Sequence, residues 1–149
     1  MLSLLFVCTG NTCRSKMAQS LAKEKLKKRG LEKSVKVSSA GLNIEPESST
    51  AKEALLALKN LGITARKTKA KALQSVHPEK FSFIVCMTTS HKNALLSRYN
   101  NARVFSFDDL CGGGDIGDPI GLGLIEYKKV ALDLNQKIDL VLDKLITVL

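Results

Sequence analysis

The chain has 149 residues, 44% of them hydrophobic and 25% charged, and 23 Lys+Arg against 14 Asp+Glu give a formal charge of +9. That size and apolar content suit one domain over residues 1–149 with a core of its own, and exclude wholesale disorder. No apolar run approaches the roughly 20 residues a membrane-spanning helix needs. Aromatics at 5%, with no Trp, argue against a stacking surface for single-stranded nucleic acid. The basic excess suits anionic partners, or merely solvated helix faces. Cys8, Cys13, Cys86 and Cys111 are too sparse for a disulfide framework, so a cytoplasmic protein with reduced thiols is expected.

In chain order, Leu2–Val7 is a continuous apolar run of the kind found in a strand covered on both faces. Ser15–Arg29 reads as a helix with Met17, Leu21 and Leu26 inward, most of its lysines outward, and Gly30 ending it. Val35–Ser38 is the second strand. Thr50–Leu61 is the second helix, capped by Thr50 with Glu53 completing a capping box. Phe81–Met87 is the third strand, Thr88–Tyr99 a helix, and Arg103–Phe107 the fourth strand. A glycine-rich loop over Cys111–Gly123 leads into a last helix from about Leu124 to Val148, with an apolar stripe through Val130, Leu134, Ile138, Leu142 and Leu145.

This alternation predicts an α/β fold: a three-layer, four-stranded parallel sheet flanked by helices. Ligands in such folds gather at the carboxyl ends of strands, near a topological switch point. The loop after the first strand is therefore the first place to look for chemistry, and Cys8 lies there.

That loop reads Cys8-Thr9-Gly10-Asn11-Thr12-Cys13-Arg14-Ser15. A bare Cys-x5-Arg pair is a weak pattern, but here an apolar strand precedes it, a helix follows it, and Gly10-Asn11 can take the left-handed conformations that curl a loop. Curling aims successive backbone N–H groups inward as an anion-binding nest, to which the helix adds its own free N–H groups and positive end. Arg14 can clamp two phosphoryl oxygens through its fork. The same field favours the Cys8 thiolate, the nucleophilic form, and Ser15 can donate a hydrogen bond to the sulfur.

Val7–Ser15 (VCTGNTCRS), Met17-Ala18, Ser39-Ala40-Gly41, Met87-Thr88 and Asp118-Pro119 together resemble the low-molecular-weight protein tyrosine phosphatases, including their bacterial protein-arginine phosphatase branch. The resemblance implies displacement through a cysteinyl-phosphate. Cys8 attacks phosphorus, Arg14 and the loop Thr9–Ser15 hold the phosphoryl oxygens, and Asp118 protonates the leaving group and then activates water. It further implies that Asn11 braces the loop with Ser39 as partner, and that Cys13 is a second loop cysteine able to form a reversible disulfide with Cys8. No metal or cofactor is implied. The expected partner is a phosphorylated protein, with no nucleic acid or membrane, and the expected state is a monomer.

Thr12 stands where phosphotyrosine-directed relatives usually carry a larger aliphatic residue, and so resembles the arginine-phosphatase branch. Ile120-Gly121 follows Asp118-Pro119, and Leu42–Ile44 forms the other wall, so neither offers the aromatics that flank a phenyl ring. Ile120 also departs from the Phe of the arginine branch. Lys16 replaces the family's common Pro, and its charge is expected to favour anionic substrates. These features lean towards phosphoarginine, with phosphotyrosine as the alternative.

Two rivals remain at this point. An arsenate reductase shares the fold and loop, but needs a close downstream cysteine pair, whereas Cys86 and Cys111 are far apart in sequence. A non-catalytic phosphate-binding module would not need Cys8, Arg14 and Asp118 together. Gly112–Gly117 formally matches a dinucleotide fingerprint but lacks its strand–turn–helix setting. Asp115 is a reserve candidate for the acid. His77 and His91 lack zinc spacing and are expected at the surface or in caps. Arg66–Lys71 reads as a solvated connection, or alternatively as a dock for acidic protein segments.

Overall fold

Leu2–Cys8 forms strand β1 near the centre of a parallel sheet in the computed structural model, which describes residues 1–100 and 103–147. Side chains alternate along a strand. Leu4, Phe6 and Cys8 therefore enter one apolar layer while Leu5 and Val7 enter the other. Both faces are covered from Leu4 onward, which is why the run is apolar from there to Cys8.

The remaining strands are β2 (Val35–Gly41), β3 (Phe83–Cys86) and β4 (Val104–Ser106), in the order β2-β1-β3-β4. Cys8 pairs with Gly41 on one side, and Val7 with Cys86 on the other. Chain growth reverses direction across β1, so the carboxyl ends of β1 and β3 frame the switch-point crevice.

Helices α1 (Arg14–Lys28), α2 (Lys52–Asn60), α4 (Phe107–Cys111) and α5 (Leu124–Leu145) cover the Leu4/Phe6 face. All five residues of the expected α5 stripe are buried there, and Phe107 stacks on Phe6 with ring centroids 6.0 Å apart. Helix α3 (Thr89–Leu96) covers the opposite face through Leu95, beside Leu73 from a short 3-10 turn.

Several boundaries differ from the expected ones, each for a local reason. Thr50 does not cap α2. Ala51 occupies that position, and Thr50 Oγ1 instead accepts a hydrogen bond from Thr68 N at 3.1 Å. The tertiary partner displaces the capping box. Phe107 belongs to α4 rather than to a strand, because Ser106 caps that helix reciprocally with Asp109. The glycine-rich loop accordingly begins after Cys111, itself helical. The strand expected over Phe81–Met87 shortens to Phe83–Cys86, and the helix expected over Thr88–Tyr99 runs only from Thr89 to Leu96 with Thr88 as its cap. Helix α5 ends at Leu145, and Val148 lies outside the described residues. No described helix is long and apolar enough to cross a membrane.

Candidate active site

Between the end of β1 at Cys8 and the start of α1 at Arg14, the chain must reverse its rise within five residues. Asn11 makes this possible by adopting φ +55, a left-handed conformation that Asn tolerates better than most residues. The reversal returns Asn11 N–H to Cys8 Sγ at 3.3 Å and brings Ser15 Oγ to 2.8 Å from the same sulfur. Helix α1 starts one residue earlier than expected, at Arg14, with Cys13 at its N-cap and no side-chain cap there.

Asn11 is completely buried, and its amide ties the loop to three other places. Nδ2 donates to Ser15 Oγ at 2.8 Å and to Ser39 Oγ at 3.0 Å, while Oδ1 accepts from Lys71 N at 2.9 Å. Because Ser15 Oγ accepts from Asn11, its own hydrogen is free to point at sulfur. Ser39 in turn donates to Gln19 Oε1 at 2.6 Å, so Gln19 joins a network in which the sequence pointed only to Asn11 and Ser39. Gly41 completes the brace by having no side chain. A Cβ there would lie 2.6 Å from Thr9 O and 3.0 Å from Asn11 N.

Arg14 is buried beside this loop, with Nη1 donating to Ile116 O at 2.9 Å and Nη2 lying 3.5 Å from Asp118 Oδ2. The Asp118 side chain is about half exposed (47%). Its Oδ1 accepts from Ile120 N at 3.1 Å, which shapes the turn carrying it. The structure therefore brings together the Cys8 sulfur, a buried guanidinium and a carboxylate at the rim. Asp115 is spent elsewhere, accepting from Thr89 N at 2.9 Å at the start of α3. Thr12 is half-buried in the loop and Ile120 is exposed on the Asp118 turn.

His91 corrects the expectation of a surface position. It is buried, and Nε2 lies 2.8 Å from Thr9 Oγ1, linking α3 to the loop. Burial, with Arg14 nearby, pushes its pKa down to about 4, so the ring is neutral at pH 7. Nδ1 has no partner among the described residues. Hydrogen on Nε2 is the tautomer with least penalty, since it leaves only a lone pair unpaired. A lone His in a short helix carries no sequence signal for this contact. Lys16 is buried, donating to Thr68 Oγ1 at 2.7 Å and Lys69 O at 2.9 Å.

Burial, followed by the neighbouring Cys8, raises the Cys13 thiol above its ordinary value. Burial also pushes Cys86 up to about 12. Cys86 packs in the layer opposite Cys8, Cys13 and Cys111, an arrangement unsuited to a thiol relay. Among the described residues no three His, Cys, Asp or Glu side chains are grouped to hold a metal ion.

A cysteine sulfur met by a loop N–H and a hydroxyl, with a buried arginine and a half-exposed carboxylate paired to it nearby, is the arrangement of a cysteine-dependent phosphatase. Residues 3–147 match the family described as low molecular weight phosphotyrosine protein phosphatase, and the chain belongs to that family. A protein-arginine-phosphatase of Geobacillus stearothermophilus is 34% identical over 148 residues, covering 97% of this chain and 96% of that protein. A crystal structure of a low molecular weight protein tyrosine phosphatase from T. tengcongensis superposes with TM-score 0.89 at 34% identity, covering 97% of this chain and all of that one (100%). The YwlE arginine phosphatase, in a mutant with a phosphorylated active-site serine, superposes with TM-score 0.88 at 29% identity and covers 98% of this chain and 97% of its own.

Proposed function

We propose that this protein hydrolyses phosphorylated protein side chains through a phosphorylated Cys8, with phosphoarginine preferred over phosphotyrosine. The observation that carries the reaction is the convergence of Asn11 N–H and Ser15 Oγ on Cys8 Sγ, with Arg14 and Asp118 on the open side.

The thiolate attacks phosphorus, an S–P bond forms, and the bond to the leaving nitrogen or oxygen breaks. Asp118 gives its proton to that leaving atom. Arg14 and the amides of Thr9–Ser15 hold the three equatorial oxygens, where charge develops. Water then attacks the same phosphorus while Asp118 takes its proton, and the sulfur departs as thiolate with the Ser15 hydroxyl donating to it. Phosphate leaves, and the electron count closes without a metal or redox partner. A phosphorylated serine in the YwlE mutant supports a covalent intermediate at the corresponding place.

Thr12 and Ile120 support the choice of side chain. A small hydroxyl residue in the loop and an aliphatic turn give a phenyl ring little to stack on, a loss of about 1 kcal/mol per missing aromatic contact. The similarity to an arginine phosphatase agrees with this, while the T. tengcongensis relative keeps phosphotyrosine as the second reading. A reaction through the free sulfur of Cys8 suits a reducing compartment such as the cytoplasm.

Turnover of phosphoarginine, phosphotyrosine and phosphoserine peptides tests it, with Cys8→Ser and Asp118→Asn as controls. Phosphoarginine is expected to be turned over fastest, and Thr12→Ile to shift the balance towards phosphotyrosine. Equal or faster turnover of phosphotyrosine by the unmodified protein would refute the preference.

A further inference from the structure

A groove of about 900 Å3 runs along the outer edge of β2, between α1 and the segment that follows α2, outside the phosphate loop. Six cations line it: Lys16, Lys23, Lys27, Lys36, Arg66 and Lys71. Among the described residues Glu24 and Glu32 are its only carboxylates. Among the described residues none of the six is ion-paired, whereas Lys25 and Arg29 nearby on the chain are paired with Asp139 and Asp143 of α5. Of the basic residues in and beside α1, Lys25 and Arg29 are thus neutralised by α5, while Lys16, Lys23 and Lys27 line the groove without an ion pair among the described residues.

Lys16 sharpens the point. Its ammonium is buried but bonded only to a hydroxyl and a carbonyl, and burial together with Lys71 pushes its pKa down to about 8. A buried cation without a carboxylate is unfavourable, and an anion laid in the groove would relieve it.

The floor offers a short stretch of strand edge. Ser34 O bonds to Leu2 N on β1, so by alternation the backbone of Val35 and Val37 faces outward; Val35 N already donates to Leu31 O at 3.2 Å and Val37 O accepts from Gln19 Nε2 at 3.4 Å, so Val35 O and Val37 N are the edge groups left to a docked chain. The lining contains no aromatic ring, which disfavours stacked bases.

We propose that this groove docks an extended Asp/Glu-rich segment of the protein substrate, separately from the phosphorylated residue held at Cys8. Sheet-edge backbone and alternating side-chain sites are how extended peptides are captured elsewhere, and the six cations supply the selectivity for acidic sequence. The proposal rests on the reading that the substrate is a protein.

The test uses the full chain and fluorescein-labelled octaglutamate, followed by anisotropy at low and high salt. Saturable binding is expected, weakened by salt and reduced about tenfold in K23E/K27E/R66E, with K23Q/K27Q/R66Q intermediate. Two phosphopeptides differing only in an acidic or a neutral flank give the second readout. The acidic flank is expected to lower KM several-fold, the triple variants to erase that difference, and kcat on p-nitrophenyl phosphate to stay unchanged. Octaglutamate binding that survives charge reversal, or tighter binding of an oligo-dT probe, overturns the proposal. Failure to hydrolyse p-nitrophenyl phosphate and the neutral-flank peptide would instead remove the phosphatase reading, while octaglutamate binding still decides the groove.

Discussion

Replacing Asn11 with Ala removes the central tie of the phosphate loop. Three hydrogen bonds disappear, two buried ones to Ser15 and Ser39 at 2.8 and 3.0 Å and a part-buried one to the backbone of Lys71 at 2.9 Å. At about 1 kcal/mol each, with part of the partners' burial left uncompensated, the loss is roughly 3–4 kcal/mol. Holding Ala at φ +55 adds about 1 kcal/mol. Asn11→Gly lacks that strain, so the difference between the two variants separates conformation from hydrogen bonding. Urea unfolding gives the stability loss, and kcat with p-nitrophenyl phosphate reports the loop. The Ala variant is expected to lose roughly 4–5 kcal/mol in all and at least a hundredfold in kcat, because Ser15 and the Asn11 amide lose their alignment on sulfur. A stability change under about 1 kcal/mol with activity within a few-fold would refute the bracing role.

Further outcomes follow from the same geometry. Gly41→Ala places a Cβ 2.6 Å from Thr9 O, so the loop must move; at least a tenfold fall in kcat/KM and a loss of roughly 1–3 kcal/mol in urea unfolding are expected, and wild-type values would contradict the packing. Ser15→Ala removes a donor 2.8 Å from the sulfur and is expected to slow breakdown of the intermediate by about 10–100-fold, seen as a burst of leaving group before a slow steady state. A slow reaction without a burst would place the defect in the first step. His91 is neutral in the fold with its pKa near 4, below the unfolded value of 6.5, so the unfolded chain binds more protons between them. Stability is therefore full above about pH 6.5 and declines as pH falls towards 4, by roughly 1–2 kcal/mol between pH 7 and 5. His91→Gln is expected to flatten that slope, and an unchanged slope would assign it to other groups.

The central strands β1 and β3 were legible because a parallel sheet buried on both faces demands apolar runs, as Leu4–Val7 and Phe83–Cys86 show. The loop was legible because Cys8, Arg14 and Ser15 flank the Gly10-Asn11 pair that can curl. Misreadings arose where a distant partner outbid a local pattern. Thr50 has the spacing of a cap but is claimed by Thr68. Ser106 and Asp109 carried a capping signal that the apolar run through Phe107 concealed. The contacts of His91 with Thr9 and of Gln19 with Ser39 depend on helix placement alone, and no local pattern announces them.

The most direct measurement is rapid-quench mass spectrometry of Asp118→Asn during turnover of p-nitrophenyl phosphate, whose good leaving group lets the first step outrun the second. One added phosphoryl group is predicted on the peptide containing Cys8, with no such species and no turnover in Cys8→Ala. Continued turnover with Cys8 unmodified, or activity that survives Cys8→Ala, would contradict the account.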